Sequence, residues 1–390
     1  MSKESAKHKD KVQDISQENI QKGKRHLLAL LVDNALDYHQ SQEELMAVAM
    51  ALKDKGISPC IICLKKSMLA KIAKEKSLSS IEFSSNTGLI IKLLWFYKRS
   101  MPLLVHVFSL SMLLTINRFI KLRLKDSTVF IHSCFTLPNQ LHQAMTSHIM
   151  RVWEQVDKVI FPSHDIANTW IDMGLDATKT QCIYTALDKK EVKIISQNSA
   201  KRRHIFAVMA DASLDSGLNT VLEAMQLVLN YKAPKSCPCP PFEVRVFSKR
   251  GDYNDFIQKA QELKVEHCLS LLSEQILADT FCHVHSLILP HLKTETNLTP
   301  LMLAFASHIP VVATKIPTYT EIMQDKMLFV EPSNAKELSK VMIKLMSDPF
   351  TWQEQAKKSA HMRTFALMPR LQNDYILTYT GLMHKKDMEV

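Results

Sequence analysis

The stretch SLILPHLKTETNLTPLMLAFASHIPVVAT, residues 286–314, decides the fold. It begins with a short apolar run, Ser286–Pro290, and ends with a second one, PVVAT at 310–314. Between them lie a polar connection and an apolar helical segment at Thr299–Ala306. Apolar strands without polar alternation are typical of parallel sheets that helices cover on both faces. The stretch therefore predicts a strand–helix–strand unit of a parallel sheet.

The same alternation continues through the second half of the chain. The runs HIFAVMAD (204–211) and FEVRVFS (242–248) predict strands. Each is followed by a helical pattern, Gly217–Tyr231 and Tyr253–Lys264, and a further helix is predicted at Ala335–Met346. These units predict one doubly wound, Rossmann-like α/β domain.

The first half repeats the pattern. Its apolar strand runs are LLALLVD (27–33), PCIICLK (59–65), PLLVHVFS (102–109), TVFIHSCF (128–135) and KVIFPS (158–163). Helical patterns separate them, so we expect a second doubly wound domain of similar size. Proteins with two such domains ordinarily bind their ligands in the cleft between them.

Glycine is scarce in this sequence. There are seven glycines among 390 residues, where average usage of roughly 7% would supply about 27. They are too widely spaced to form GxGxxG or GxxxxGK[ST]. The dinucleotide fingerprint, the Walker loop and the kinase glycine loop are therefore excluded.

The net charge of +10 favours an anionic partner, such as a phosphate-bearing ligand or a membrane surface. Basic and aromatic residues do not interleave as in nucleic-acid binders, so nucleic acid is not the expected partner. Some of the charge lies in 1–25, predicted as a disordered basic tail, and in 189–203, predicted as a linker.

The eight cysteines and the polar N-terminus predict a cytoplasmic protein with reduced thiols. Cys60 and Cys63 form a CxxC within a predicted strand, where they point to opposite faces of the sheet. Cys237 and Cys239 have no partner pair at zinc-finger spacing. All four are expected to be structural thiols.

The second half resembles the donor-binding segment of group 1 (family 4) retaining glycosyltransferases of the GT-B fold. That segment has two Glu residues eight positions apart, then Pro-Val-Val-Ala, Glu-Ile and Asp-Pro. The matching positions are Glu295, Pro310–Ala313, Glu321–Ile322 and Asp348–Pro349. The resemblance implies a fold of two Rossmann-like domains facing a cleft.

Other segments resemble the same family in the same order. Residues 158–188 are similar to the closing segment of its first domain, and 204–225 to the first strand and helix of its second domain. The pattern at Arg370–His384 is similar to the family's final helix, which crosses back to the first domain. The expected organisation is a first, acceptor-side domain at 26–188, a second, donor-binding domain at 204–368 and a crossing helix at 369–390.

The resemblance also implies a chemistry. The donor would be a nucleotide-diphosphate sugar, and no other cofactor and no metal are expected. Glu295 would bind sugar hydroxyls, and the backbone amides of Asn297, Leu298 and Thr299 would face the distal phosphate. Independently of the resemblance, Thr299 followed by Pro300 predicts a helix N-cap and first position, which favours an anion there.

Four positions depart from the family pattern. The second Glu falls at Leu303, and the glycine of the phosphate turn falls at Leu298. The Arg and Lys that normally hold the diphosphate fall at Asp211 and Ser216. These changes remove two cations and a carboxylate, and they add a negative charge close to the expected phosphates.

Two cations are candidates to replace the missing ones. Lys249 and Arg250 follow the strand FEVRVFS and are predicted as donor-binding residues. The alternative for this pair is an ordinary solvated turn.

Histidines supply the remaining candidates. His132 ends the predicted strand TVFIHSCF and is predicted as the catalytic residue, by binding a sugar hydroxyl or assisting proton transfer. His106, on the preceding strand, is expected to pack in the core. His283 and His285 would share one strand face, but no third ligand joins them at a metal-binding spacing.

Two basic, amphipathic stretches, 88–99 and 111–125, are consistent with docking to a membrane surface or with helices that cover the sheet. Two functions stay open. One is retaining, metal-independent transfer of a sugar to a glycan or lipid-linked acceptor, by a cytoplasmic and membrane-associated hexosyltransferase. The other is a catalytically inactive relative that serves as a binding or scaffold protein.

Overall fold

The computed structural model describes most of the chain. The described residues are 28–33, 40–100, 104–122, 128–188, 192, 203–210, 216–232, 241–248, 253–273, 281–324 and 327–389. The predicted tail and nearly all of the predicted linker lie outside them. The chain divides into two compact units, one up to Tyr184 together with Leu371 onwards, the other Thr185–Arg370. The second unit ends at Arg370, two residues after the predicted end of the second domain, and it begins at Thr185, where the prediction began that domain at 204 after a linker.

The first unit is built on a parallel sheet. Within the described part of the chain its strands are β1 (Leu28–Val32), β2 (Ser58–Leu64), β3 (Ser79–Phe83), β4 (Leu104–Val107), β5 (Val129–Ser133), β6 (Lys158–Phe161) and β7 (Thr180–Cys182). Their order across the sheet is β3-β2-β1-β4-β5-β6-β7. Val32 pairs with Ile62 on one side and with Val107 on the other. The sheet therefore winds outward in two directions from β1.

Helices connect these strands. They are α1 (Gln40–Asp54), α2 (Met68–Glu75), α3 (Asn86–Ser100), α4 (Leu110–Leu122), α5 (Gln143–Trp153) and α6 (His164–Ile171). Serine side chains begin two of them: Ser67 accepts from the amide of Ala70, and Ser163 accepts from the amide of Ile166. This is the N-cap bonding that serine favours, and it fixes where α2 and α6 start.

The two faces of the first sheet carry different cores. One face packs apolar side chains of β4 and β5, such as Val105 and Phe130, against Trp153 and its neighbours. The other face carries His106 and Ser133 and is covered by the long C-terminal helix, Met368–Glu389. The C-terminal segment thus completes the first unit.

A chain of buried hydrogen bonds joins that helix to the sheet. The ring nitrogens of His106 lie 2.6 Å from the Tyr379 hydroxyl and 2.9 Å from Ser133 Oγ. The Tyr375 hydroxyl lies 3.2 Å from Ser133 Oγ and 3.1 Å from Glu44 Oε2. All five side chains are at most 1% exposed. We call these residues the helix network.

The second unit has a parallel sheet of its own. In the described ranges its strands are β8 (His204–Met209), β9 (Phe242–Ser248), β10 (Leu269–Ser273), β11 (Ser286–Leu289), β12 (Val311–Thr314) and β13 (Leu328–Val330). They lie in the order β10-β9-β8-β11-β12-β13. Ile288 of β11 pairs with Val208 on one side and Val312 on the other, and all three are buried in one core.

The helices of the second unit follow the same alternation. They are α7 (Leu218–Leu229), α8 (Asn254–Glu262), α9 (Thr299–Ala306), α10 (Pro317–Met323), α11 (Ala335–Ser347), α12 (Pro349–His361) and α13 (Arg363–Ala366). The C-terminal helix of the first unit, Met368–Glu389, is α14. The predicted fold of two doubly wound α/β domains is confirmed.

The chain enters and leaves the second unit along two paired segments. Leu187 and Leu367 form a parallel bridge, in which the amide of Leu187 donates to Ala366 and the amide of Met368 donates to Leu187, both at 2.9 Å. The Arg370 guanidinium adds a 2.7 Å bond to the carbonyl of Thr185. The segments that enter and leave the second unit are therefore hydrogen-bonded to each other.

The cysteines of β2 are free thiols buried in the strand. Burial raises the pKa of Cys60 to about 12 and that of Cys63 to about 11. Both thiols stay protonated at neutral pH, which opposes metal binding and redox exchange. Cys237 and Cys239 lie outside the described residues.

The basic stretch 88–99 falls in α3, and the described part of the second stretch, 111–122, falls in α4. Leu89, Leu93, Met112 and Ile116 of these helices are buried in the core of the first unit, as the sheet-covering alternative predicts. In the part of the chain that the structure describes, no helix has the length and apolar character needed to cross a membrane.

Candidate functional site

The order of the second sheet marks one edge as the place for a ligand. Strands β8 and β11 are neighbours in the sheet. The chain leaves the carboxyl end of β8 towards β9 on one side, and it leaves the carboxyl end of β11 towards β12 on the other side. In open α/β sheets ligands bind outside the carboxyl ends of the strands at such a switch point. The turn at Ser216–Gly217 follows β8, and the loop 290–298 follows β11.

These two connections touch each other. Gly217 has a φ of +74°, and a Cβ there would lie 1.8 Å from the carbonyl oxygen of Pro290. Only glycine combines this backbone conformation with so close an approach. Gly217 therefore brings the start of α7 against the loop that carries the predicted donor-binding residues.

Glu295 is the centre of that loop. Its Oε2 lies 2.9 Å from Nε2 of His291, and its Oε1 accepts from the amide of Asn297 at 2.6 Å. The side chains of His291 and Glu295 are 12% and 21% exposed. The carboxylate is thus held on both oxygens and still meets solvent.

His291 has two further hydrogen-bond partners besides Glu295. Its Nδ1 lies 2.7 Å from the hydroxyl of Tyr319, which is 1% exposed. Its backbone carbonyl accepts from the hydroxyl of Thr314 at the end of β12. Tyr319, His291 and Glu295 form a continuous line of hydrogen bonds from the core to the surface, which we call the loop network.

The loop network sets the charge of the carboxylate. Burial alone would raise the pKa of Glu295, but the hydrogen bonds from His291 and from the amides of Asn297 and Thr296 outweigh it and lower the pKa below its usual value. Burial, with a smaller contribution from the charge of Glu295, raises the pKa of Tyr319 well above its usual value. At neutral pH the pair is a carboxylate and a protonated phenol.

The start of α9 differs from the prediction for Thr299. The helix begins at Thr299 with Leu298 as its N-cap residue, and Leu298 supplies no side-chain cap bond. The N-cap prediction for Thr299 was therefore wrong by one position. Asn297 takes the role instead, because its Oδ1 accepts from the amide of Thr299 at 3.1 Å. The predicted phosphate-facing amides of Asn297 and Thr299 thus carry bonds within the chain.

The positions that depart from the family pattern are buried where the structure describes them. Leu298 is fully buried, and Leu303 is 4% exposed within α9. Ser216 is 2% exposed, and its hydroxyl accepts weakly from the amide of Leu218 at 3.4 Å. Neither Leu303 nor Ser216 offers a charge to a ligand.

Three predicted positions lie outside the described residues. They are Asp211, Lys249 and Arg250. The donor-binding assignment of Lys249 and Arg250 stays a prediction.

His132 lies in the first unit, within β5 and fully buried. The indole N–H of Trp153 donates to its Nδ1 at 3.1 Å, which places the ring proton on Nε2. Burial lowers the pKa of His132 to about 3. The ring is therefore neutral at pH 7, and it suits donation to a hydroxyl better than uptake of a proton. Its catalytic role stays a prediction.

Nε2 of His132 has no hydrogen-bond partner among the residues that the structure describes. His106, in contrast, has partners on both nitrogens within the helix network. This agrees with the expectation that His106 packs in the core.

The histidines before β11 do not form the predicted pair on one strand face. His283 ends a short 3₁₀ helix, Phe281–His283, and is exposed. His285 is buried, and its Nδ1 accepts from the amide of Ile205 at 3.0 Å. No group of three or more metal-ligating side chains occurs in the described ranges.

The sequence did not single out His291 and Tyr319 as members of the site. The four-residue spacing of His291 and Glu295 was a usable local signal for their pairing. Tyr319 lies 28 residues from His291 and gives no such signal. Only the adjacency of β11 and β12 places the Tyr319 hydroxyl beside the imidazole.

No family model matches this sequence, and no curated protein matches it. Solved structures do. HepE of Anabaena, in complex with UDP-glucose, is 14% identical with a TM-score of 0.72, over 91% of this chain and 100% of that one. A glycosyltransferase of Rickettsia africae is 15% identical with a TM-score of 0.72, over 92% and 99%. The chain has the GT-B fold.

A third structure extends the comparison. Sucrose-phosphate synthase of Thermosynechococcus elongatus is 12% identical with a TM-score of 0.69, over 92% of this chain and 99% of that one. At such identities the likeness establishes the GT-B fold, and the activity has to be argued from the site.

Proposed function

We propose that this GT-B chain is a glycosyltransferase that takes a sugar from a nucleotide-diphosphate donor and passes it to a glycan or lipid-linked acceptor. The observation that carries the proposal is the ionised, doubly held Glu295 at the switch point of the second sheet. A hexosyl group is the expected cargo. Retention of configuration and independence of a metal follow from the family resemblance and belong to the same proposal.

Glu295 has the capacity to bind sugar hydroxyls. A carboxylate oxygen accepts about two hydrogen bonds in the carboxyl plane. Oε1 accepts from the amide of Asn297, Oε2 accepts from His291, and the amide of Thr296 also bonds the carboxylate. Acceptor capacity remains for a hydroxyl that approaches from solvent, and bonds from neutral hydroxyls to an ionised acceptor are strong.

The diphosphate needs positive charge from elsewhere. The start of α9 offers the positive end of a helix dipole, but the carboxylate of Glu295 already accepts from the amide of Asn297 there. We assign the diphosphate to Lys249 and Arg250, the cations predicted after β9. UDP is the first nucleotide to test, because HepE of Anabaena was solved with UDP and with UDP-glucose.

In the first unit, we assign His132 to a hydroxyl of the donor sugar or of the acceptor. Its neutral ring carries a proton on Nε2, which suits donation to an oxygen. We assign no further residue to the chemical step. We propose a cytoplasmic enzyme that reaches lipid-linked acceptors at a membrane surface, and liposome sedimentation at low and high salt measures that association.

Titration calorimetry with UDP-, GDP- and ADP-sugars tests the donor. We expect the sugars of one nucleotide to bind. Glu295→Gln should weaken the binding of that nucleotide sugar by about 10-fold or more, because a hydrogen bond to a charged group is lost. Binding of the bare nucleotide should change little. Glu331→Gln, an exposed carboxylate of the same unit, is the matched control.

Two results would contradict the proposal. If the folded protein binds no nucleotide sugar, the transferase assignment fails, and a binding or scaffold role replaces it. If Glu295→Gln weakens binding of the bare nucleotide as much as binding of the nucleotide sugar, Glu295 does not contact the sugar.

A further inference from the structure

We infer that His291 and Tyr319 are positioning residues that fix the orientation of Glu295 for a sugar hydroxyl. The inference rests on the proposed function, and it adds two residues that the family pattern does not mark. Its basis is the unbroken line of hydrogen bonds from the Tyr319 hydroxyl through the imidazole to the Glu295 carboxylate.

The geometry allows one assignment of protons without a charged imidazole. Glu295 is ionised and only accepts, so Nε2 of His291 carries the proton that spans the 2.9 Å contact. In the neutral ring Nδ1 then accepts, and the Tyr319 hydroxyl donates to it over 2.7 Å. Every group in the line has a partner of the right kind.

The buried end of the line is rigid. Tyr319 belongs to α10 and is 1% exposed, so its ring is held by packing. His291 is fixed a second time, because its backbone carbonyl accepts from the hydroxyl of Thr314. The Thr314 bond fixes the backbone of His291, and rotation of the imidazole would break its own bonds to Tyr319 and Glu295.

The open end of the line is the carboxylate. Glu295 is the most exposed of the three residues. With Oε2 held by His291 and Oε1 by the amide of Asn297, its plane is fixed before any ligand arrives. Preorganisation of this kind lowers the entropy that binding loses. The ionised carboxylate offers only acceptors, so it selects sugars that present a free hydroxyl to it.

Nuclear magnetic resonance of the full-length protein tests the proton assignment without any ligand. We expect the His291 ring, assigned by comparison with His291→Gln, to be a single tautomer with its proton on Nε2. In Tyr319→Phe we expect the same tautomer, because Glu295 still accepts from Nε2, together with a shifted Nδ1 resonance, because the hydrogen bond from the Tyr319 hydroxyl is gone. A ring protonated on Nδ1, or an Nδ1 resonance that is unchanged in Tyr319→Phe, would overturn the inference.

Calorimetry then tests the effect on recognition. We expect Tyr319→Phe to weaken binding of the nucleotide sugar by about 3- to 10-fold, because one neutral hydrogen bond is lost. Binding of the bare nucleotide should be unchanged. Tyr231→Phe, an exposed tyrosine of the same unit, should have no effect. Combined with Glu295→Gln, Tyr319→Phe should add little, because it acts through that carboxylate.

The failures are distinguishable. If the wild-type protein binds a nucleotide sugar and both His291→Gln and Tyr319→Phe bind it equally well, the positioning role is wrong and the proposed function stands. If no nucleotide sugar binds, the proposed function fails together with the sugar-positioning role. The resonance experiment then decides whether His291 and Tyr319 orient the carboxylate at all.

Discussion

The helix network of the first unit and the loop network of the second are built from the same groups. Each joins a glutamate, a histidine and tyrosine hydroxyls. They differ in where they lie. The helix network joins two central strands of the sheet to α1 and α14 and is at most 1% exposed. The loop network begins in the core and ends at Glu295 in the loop after β11, where the side chain is 21% exposed.

The difference indicates what each network does. A fully buried polar network has all its bonds within the chain, and breaking one leaves a buried polar group unsatisfied. A network that ends at the surface has one side available to a ligand. The helix network therefore stabilises the attachment of α14, and the loop network is the one suited to binding.

The largest expected effect on stability comes from a change at Gly217. This residue places the turn after β8 in contact with the loop that carries the loop network. Gly217→Ala puts a Cβ 1.8 Å from the Pro290 carbonyl oxygen, and we expect a loss of about 3 kcal/mol or more from strain and overpacking. Gly56→Ala is the matched control, because Gly56 has a φ of +75° and open space around it. It should cost about 1 kcal/mol. Urea unfolding measures both, and equal losses would mean that the approach to Pro290 is not rigid.

A smaller effect separates the two networks directly. Tyr375→Phe removes a hydroxyl from the buried Glu44 and Ser133, and we expect a loss of about 2 kcal/mol. Tyr319→Phe removes a hydroxyl that bonds a single side chain, His291, so the loss should be about 1 kcal/mol. The midpoints of urea unfolding give the comparison. A larger loss in Tyr319→Phe would contradict the distinction between closed and open networks.

A further prediction concerns the dependence of stability on pH. Burial lowers the pKa of His132 to about 3 and that of His106 well below its usual value. The unfolded chain, with histidine pKa values near 6.5, therefore takes up protons that the folded chain does not. Stability should fall as pH drops below about 6.5, by at most about 1.4 kcal/mol per pH unit for each such histidine.

The carboxylate of the loop network titrates in a different range. The pKa of Glu295 is lowered on folding, so its contribution is complete above the usual carboxyl range and is lost only in more acidic solution. Between pH 6.5 and 5 the loss should thus come from the buried histidines. Unfolding measured at several pH values should show a shallower slope for His132→Phe than for the wild-type protein. An unchanged slope for His132→Phe would show that its ring is protonated in the folded protein.

The sequence predicted most of the fold because its strands are apolar and its helices have clear spacing. The helix at Thr299–Ala306 has the predicted bounds. Strand β13 and helices α10 and α12 were not predicted from the pattern. β13 has three residues, and α12 is largely polar. Neither carries enough periodicity to stand out.

The site was less accessible to sequence reasoning. Glu295 was found through its resemblance to a motif, but the groups that hold it come from a loop histidine and from a tyrosine of α10. Hydrogen bonds between distant segments have no signature in local spacing. The N-cap of α9 was misplaced because Asn297, which also supplies an amide to Glu295, replaces Thr299 in that role.

The paired segments at Leu187 and Leu367 make the second unit an insertion into the first. Its entry at Thr185 and its exit at Arg370 are joined by a hydrogen bond from a single arginine side chain. A linker of a few residues is long enough to span that reach. Connecting Tyr184 to Leu371 in this way retains the sheet and core of the first unit and α14 from Leu371 onwards. We therefore expect that the first unit can be made as one continuous chain by excision and rejoining.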